Sequence, residues 1–579
     1  MNRSRAVGWV AMLCAGLLPG LVDAAAVDDP ARVARAAQIV AQASRPDEPG
    51  CAIGAYRSGR ALLHTAFGLA DLTDRKALTP QSVFGAASIS KQFTAAAAAI
   101  AAEQGYFSLD DDIRKILTEL PDYGHKVAVR DLIHHVSGLR DFNHLVKLTF
   151  KPDLYRDKPA ILKLIARQQR LNFVPRTEFS YNNSGYLLLA EIVERATGRS
   201  LQAFAADNIF KPLGMTHTYF AHGAPPDVLR AQPYSKTAAG WQPTAQENLI
   251  TPGPGGLMTT VDDYQRWAAN LIAAQSLLPG GKALQSRLRE TALLADGSRT
   301  DYAFGLETAP YKGNETLSHG GSGLGYKTYA MIFPKRALVV VGLCNNGAYA
   351  DSLVMAVADA LLGIPATVDS SNSVTTQRSS MSDLARFVGF YRDPQLALPR
   401  IVSVRDGALH MVGDVIEHTL RRVAANRFEA SGVKGEFEFA APPDGSAVSP
   451  GFRQLHPSLS SGTSRFERIE VAQPSAARLQ GYVGRYYSAE LDTLYEVSVA
   501  EGRLTMRGGR DRPSIQTPAI SLEPMLEDEF VSLEHRFIAR FVRDRQQGIR
   551  GFKASAQFGW VRDIEFTRVE DDAKQNGAD

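Results

Sequence analysis

The stretch GAASISKQFTAAAAAI, Gly85 to Ile100, decides how the chain is read. Ser88 and Lys91 stand three residues apart, and an unbroken alanine run follows from Ala95 to Ala99. Ile89 to Gln104 reads as one helix, ended by Gly105. Positions i and i+3 share a helix face, so the hydroxyl and the amine meet one turn apart. A serine hydroxyl is a poor nucleophile until something takes its proton. A lysine takes it if burial lowers its pKa, because desolvation disfavours the ammonium. The alanines let such a helix sit deep in a packed core. The stretch therefore predicts a buried helix whose first turn carries an activated serine.

A bare S-x-x-K arises by chance in a chain of 579 residues, so its surroundings carry the weight. Upstream, CAIGAYRSG and RALLHTAFG read as a hairpin turning at Ser58-Gly59. Far downstream, Thr328 to Pro334 and Ala337 to Leu343 read as a second strand pair. ALVVVGL is apolar on both faces, which predicts a central strand in a covered sheet. Between these pairs come LDDDIRKILTELP from Leu109, IHHVSGLRDF from Ile133 and PRTEFSYNNSGYLLLAEIVERATG from Pro175. IFKPLGMTHT from Ile209, GPGGLMTTVDD from Gly253 and LSHGGSGLGY from Leu317 follow.

As an ordered set with Ser88 and Lys91, these segments resemble the serine β-lactamase and penicillin-binding-protein superfamily, in its class C-like branch. The resemblance covers roughly residues 35–350. It implies an α+β catalytic domain, an antiparallel sheet flanked by helices, over 27–366. It also implies an acyl-enzyme mechanism with Ser88, Lys91 and Tyr181 as catalytic residues. Tyr181-Asn182-Asn183 occupies the family's Tyr-x-Asn position. A phenol whose pKa is lowered by nearby positive charge can shuttle the serine proton to the leaving group. Asn183 would orient Lys91 and bind a substrate amide. The N–H groups of Ser88 and Ser322 would form the oxyanion hole. Lys91 and Tyr181 would titrate as a coupled pair, so the base in each step stays open.

His319-Gly320-Gly321 stands where class C β-lactamases carry Lys-Thr-Gly. His319 and Gly321 are expected to bind substrate, with the glycines letting backbone lie close to it. A lysine there gives a permanent charge for a substrate carboxylate, whereas histidine is mostly neutral at pH 7. The resembling relatives with His-x-Gly include D-aminopeptidases, D,D-carboxypeptidases and esterases. The expected substrate is a short peptide or amide containing D-amino acids. An esterase, a D,D-carboxypeptidase or a β-lactamase is the alternative within the superfamily. A non-catalytic binder of cell-wall peptides is the alternative outside it. His134 and His135 are adjacent, point about 100° apart on a helix and read as structural. The run around Ser322 ends in Leu324, so it is not a G-x-S-x-G elbow. No spacing points to a metal, and no cofactor is expected.

Between Ser370 and Ser382 most residues are serine or threonine, which marks a linker at 367–382. Beyond it the sequence repeats. LARFVGFY from Leu384 matches LQGYVGRY from Leu479, and VSVRDGALHM from Val402 matches VSVAEGRLTM from Val497, both 95 residues on. GFR at Gly451 matches GFK at Gly551, and FERI at Phe466 matches FTRV at Phe566, both 100 residues on. Short alternating runs with turns at Asp406-Gly407 and Glu501-Gly502 predict two antiparallel β-barrel modules, 383–471 and 478–570. D-aminopeptidases of the superfamily have a similar layout, which implies that the modules narrow the catalytic cleft. Gly509 to Pro518 or Arg543 to Gly548 is the expected loop.

At the N-terminus, Arg3 and Arg5 precede the apolar stretch Ala6 to Val22, and Ala24 to Ala26 offer small residues for cleavage. That order reads as a signal peptide over 1–26, although an uncleaved anchor is the other reading. The expected protein is exported, periplasmic or secreted, with no stable membrane insertion. Cys51 and Cys344 remain after cleavage. The family fold would place them side by side, and export permits a disulfide without demanding one. A net charge of +3 implies no nucleic-acid partner, and RFVRDRQQGIRGFK from Arg540 reads as a solvated strand pair and its turn.

Overall fold

The computed structural model describes residues 28–220, 228–244, 252–347, 350–365, 381–413, 417–430, 436–441, 448–455, 463–509, 517–556 and 559–569. The expected signal peptide and nearly all of the expected linker lie outside these residues. In chain order, the elements that frame the site are α1 (Pro30–Ala43), β1 (Cys51–Arg57), β2 (Arg60–Phe67), α2 (Ser90–Glu103), α3 (Val129–Ile133), α4 (Phe142–Thr149) and α5 (Asn183–Thr197). They are followed by β3 (Leu317–Gly323), β4 (Tyr326–Phe333), β5 (Leu338–Cys344) and α6 (Ala350–Leu362).

The five strands form one antiparallel sheet in the order β3-β4-β5-β1-β2. β5 is central, as its apolar run requires. Its Leu338, Val340 and Cys344 pack with Ile53 and Val354 on the face covered by α1 and α6. Val339, Val341 and Leu343 face the opposite layer, where α2 lies. Every residue of α2 from Ser90 to Ala101 is buried, so this helix is surrounded by protein rather than amphipathic. Alanine makes that possible, because it brings no bulk to the close approach of α5. Gly305 shows how tight the packing is: a Cβ there would lie 2.5 Å from the Gln92 nitrogen at the start of α2.

The strands from Gly389 onward close into two eight-stranded antiparallel barrels in which consecutive strands pair. The first runs from Gly389–Arg392 to Thr463–Ile469 and the second from Gly484–Ser488 to Val561–Val569. The sequence repeat is a repeat of atomic detail. The Tyr391 hydroxyl donates to the Phe387 carbonyl at 2.8 Å, and Tyr486 donates to Tyr482 at 2.7 Å. Phe452 stacks on Phe466 at 4.7 Å, and Phe552 on Phe566 at 4.4 Å. Gly451 and Gly551 each pass so close to the partner strand's carbonyl that a side chain has no room. Both interiors are filled with such rings.

The second barrel sits on the catalytic domain. Phe150 ends α4 and inserts against Tyr495, and Gly508 leaves it space: a Cβ there would lie 2.0 Å from the Phe150 ring. The apolar core therefore continues from one domain into the next. The first barrel rests on the second through a bidentate Arg392–Glu529 pair at 2.6 and 2.9 Å. Cys51 and Cys344 are directly opposite across β1 and β5 and form a disulfide that joins positions 293 residues apart. Exchange of both cysteines for alanine is expected to cost about 2–5 kcal/mol in denaturant unfolding. In the unreduced, denatured protein both thiols are expected to resist alkylation; free labelling of Cys51 and Cys344 contradicts the pairing.

Candidate active site

The chain turns sharply into α2. Ala87 adopts φ +46°, a left-handed conformation that costs an alanine about 1–2 kcal/mol. Its neighbours hold it there. The Ala86 N–H donates to the Leu257 carbonyl at 2.8 Å, and the Ala86 carbonyl accepts from the Thr328 hydroxyl at 3.0 Å. Ser90 Oγ donates to the Ala87 carbonyl at 2.6 Å and accepts from the Leu257 N–H at 3.1 Å. Ser88 lies in the tight turn Ala87–Ile89, one step before α2, with its side chain facing a cavity of about 600 Å³. Asn143, Tyr155, Asn183, Pro254 and Ser322 also line that cavity.

Lys91 is fully buried, and its Nζ reaches Ser88 Oγ at 3.2 Å, Asn183 Oδ1 at 2.9 Å and the Pro254 carbonyl at 2.9 Å. Burial lowers its pKa from the ordinary lysine range to about 7, against the opposing charge of Asp141. These partners decide how a neutral amine would point. Asn183 Oδ1 and the Pro254 carbonyl only accept, so they take the two N–H bonds. The lone pair is left for the one partner that can donate, the Ser88 hydroxyl. This is the arrangement of a base poised on a nucleophile.

Asn183 is the first residue of α5, behind the N-cap Asn182, whose Oδ1 accepts from Gly185. Asp141 fixes it from behind, because one carboxylate oxygen accepts from the Asn183 N–H at 2.6 Å and from Nδ2 at 2.9 Å. The other oxygen caps α4 through the Asn143 N–H. Asp141 lies within the IHHVSGLRDF segment, but its role depends on a contact with α5 that no local pattern announces.

The Tyr181 ring centre lies 4.7 Å from Lys91 Nζ. The expected lowering of its pKa is overturned. Burial pushes the phenol well above its ordinary range, and Lys91, itself driven toward neutrality, brings no fixed positive charge. Tyr181 is therefore a neutral hydrogen-bond partner near pH 7, not a phenolate. Its ring packs on His135 at 4.3 Å, and Trp560 of the second barrel stands 6.3 Å away.

His319 is also buried, and both of its ring nitrogens are occupied. Nδ1 lies 2.5 Å from the Gly320 carbonyl, an acceptor, so it carries the proton; Nε2 then accepts from the Tyr302 hydroxyl at 3.0 Å. Burial and the nearby Lys91 lower its pKa to about 3. His319, expected to bind substrate, thus has neither ring nitrogen left over. Gly321, expected to lie against substrate, is also packed tightly from behind. A Cβ there would lie 2.6 Å from the Ala86 carbonyl and 2.3 Å from Thr328 Oγ1, so the glycine lets β3 press against the nucleophile's own turn. Ser322 follows on the free edge of the sheet. Ser318 exchanges both backbone bonds with Glu307 from that edge, and the two-residue period puts the Ser322 N–H on the same side, facing the cavity.

His134 and His135 are not neighbours on a helix face. His134 caps α3, and His135 has left the helix at φ +60°. His134 bonds the Tyr302 carbonyl, and His135 accepts from the Asn182 N–H. Both belong to the aromatic floor under Tyr181, and burial keeps both neutral. Tyr302, which ties this floor to His319, was missed because nothing in its sequence neighbourhood marks it. Among the described residues, no group of three or more His, Cys, Asp or Glu side chains could hold a metal.

A family profile described as Beta-lactamase matches residues 36–364. The D-aminopeptidase of Brucella canis is 30% identical over 328 residues, which cover 55% of this chain and 60% of that protein. The D-aminopeptidase of Brucella anthropi is 28% identical over the same length. The match thus spans 60% of the length of these curated relatives. The octameric penicillin-binding protein homologue from Pyrococcus abyssi superposes with a TM-score of 0.52 at 22% identity. It covers 74% of this chain and 98% of the other, which places the two in one fold.

The Ser88–Lys91 geometry makes a direct prediction. The rate at which a serine-directed acylating reagent modifies Ser88 is expected to fall as pH drops below about 7, where Lys91 gains its proton. Lys91→Met is expected to lower that rate by about 10²–10⁴ and to remove its pH dependence. An unchanged profile in the variant contradicts Lys91 as the base.

Proposed function

We propose, for a chain that belongs to the Beta-lactamase family, an exported serine hydrolase that forms an acyl-enzyme on short peptides or amides of D-amino acids. The observation that carries the reaction is the buried Lys91 Nζ set between Ser88 Oγ, Asn183 Oδ1 and the Pro254 carbonyl, which leaves its lone pair for Ser88 when the amine is neutral. In this reading Ser88 attacks the substrate carbonyl carbon and Lys91 takes the hydroxyl proton. The oxygen that becomes negative is held by the N–H groups of Ser88 and Ser322, each such donor being worth about 3–4 kcal/mol in acyl transfer. The leaving amine departs with a proton passed from the Lys91 ammonium through the Tyr181 hydroxyl, whose ring stands beside that amine. Water then attacks the Ser88 ester and gives a proton to Lys91, which passes it to Ser88 Oγ as the C–O bond breaks and the acid is released.

The substrate class rests on two supports. The curated relatives named above are D-aminopeptidases. The site also offers no cation at position 319: His319 is neutral and fully engaged where a lysine would meet a substrate carboxylate. That weighs against the β-lactamase and D,D-carboxypeptidase alternatives. A cavity of about 600 Å³ suits a short peptide or amide. Export is supported by the Cys51–Cys344 disulfide, since such bonds persist in oxidising compartments.

The test is a panel of D- and L-amino-acid amides with matched esters, run beside benzylpenicillin. D-amides are expected to turn over in a Ser88-dependent manner, with Ser88→Ala inactive. Benzylpenicillin is expected to leave the intact mass of the protein unchanged. Turnover of esters alone supports the esterase alternative, and a Ser88 penicilloyl adduct overturns the account of His319.

A further inference from the structure

We propose that the second barrel is part of the catalytic apparatus, with Arg140 as the positioning residue through which it holds Asp141, Asn183 and Lys91 in line with Ser88. This rests on the reading of Ser88 and Lys91 as nucleophile and base.

Arg140 and Asp141 are consecutive, and they face opposite ways. Asp141 turns toward the site, where it grips Asn183 and so orients Lys91. Arg140 turns toward the barrel, with only 1% of its side chain exposed. Its Nε donates to the Arg562 carbonyl at 3.1 Å and Nη2 to the Asp563 carbonyl at 3.2 Å. Nη1 donates to Glu490 Oε1 at 2.7 Å and to Gln168 Oε1 at 2.9 Å. Three of these four acceptors belong to the second barrel. The barrel also accepts from the Asp141 backbone itself, whose N–H meets the Trp560 carbonyl at 3.3 Å.

The same two residues are knitted to α5. The Arg140 carbonyl accepts from Ser184 Oγ at 2.7 Å, and that oxygen accepts from the Phe142 N–H at 2.7 Å. Ser184 directly follows Asn183. The path from barrel to base is therefore short: the 560–563 segment, then Arg140 and Asp141, then Asn183, then Lys91. A buried guanidinium that loses its acceptors is costly, so Arg140 stays where the barrel's carbonyls are. Asp141 is one peptide away and has to follow. The segment also carries Trp560, whose ring meets His144 at 4.8 Å beside Asp141. Neither loop expected to reach the cleft is part of this path. Gly509 packs against Phe150, residues 510–516 lie outside the described residues, and the 544–548 turn closes on itself through Asp544.

A positioning role leaves a signature that mere stabilisation does not. The Asp141 charge supports the Lys91 ammonium. Burial keeps His135, His319 and Tyr181, which also face Lys91, uncharged. If Asp141 shifts away, Lys91 releases its proton more readily and the acid limb moves to lower pH, while the misdirected amine reacts more slowly.

The experiment follows covalent labelling of the full chain by a fluorophosphonate, read as intact mass across the neutral pH range. Ser88 Oγ bonds to phosphorus, fluoride leaves and the hydroxyl proton passes to Lys91. Arg140→Gln is expected to label about 10- to 100-fold more slowly, with its acid limb below that of the wild type, and Arg140→Lys to recover part of the rate. Arg170→Ala removes the Arg170–Glu565 pair, 3.2 Å, from the rim of the same interface and is expected to label as the wild type does. If Arg140→Gln does not fold, Glu490→Gln, which keeps an acceptor, is expected to shift rate and limb in the same direction by less. Wild-type rate and an unmoved limb in the folded variant overturn the proposal. Absence of any Ser88 label in the wild type overturns the hydrolase reading instead, so the two failures are distinct.

Discussion

The structure depends on the cost of keeping a lysine amine out of water. Lys91 has no solvent contact, and an ammonium there would give up its hydration for three oxygens. That cost lowers the pKa of the amine to about 7, and in the proposed reaction the lone pair so released activates Ser88. Much of the surrounding sequence serves this burial. The alanines of α2 allow close cover, Gly305 lets a turn press on the helix start, and Gly321 lets β3 lie against the nucleophile's turn. Ala87 is held in a left-handed conformation by the same contacts.

The oxygens around Lys91 then have to stay in place without water to help. Asn183 is held by Asp141, and Asp141 is held through its own backbone and its neighbour Arg140 by a different domain. A repeat that looks like an appendage in the sequence thus reaches the base in a few bonds. The first barrel, by contrast, rests on the second through Arg392 and Glu529. Two copies of one module, with the same tyrosine and stacked phenylalanines inside, differ in what their outer surfaces have been given to do.

What the sequence made legible was whatever local spacing encodes. Ser88 and Lys91 could be paired because three residues make one helical turn, and β5 could be placed centrally because its apolar run has no polar face. The barrels were readable from Gly451 and Gly551, Phe466 and Phe566, since repetition needs no knowledge of contacts. Asp141, Tyr302 and the 559–563 segment were not readable, because their roles lie in contacts across 42, 17 and more than 380 positions of chain. The direction of the Tyr181 shift failed for a related reason. A neighbouring lysine implies positive charge only if it stays protonated, and burial decides that. His319 looked available to substrate until the structure showed both nitrogens spoken for.

The most direct measurement is the titration of Lys91 itself. With ¹³C at the lysine Cε positions, the Lys91 resonance can be assigned by its loss in Lys91→Arg and followed against pH. The account predicts a midpoint near 7. A midpoint at the ordinary lysine value of about 10.4 would mean that the amine stays charged beside Ser88 and that the activation described here does not operate.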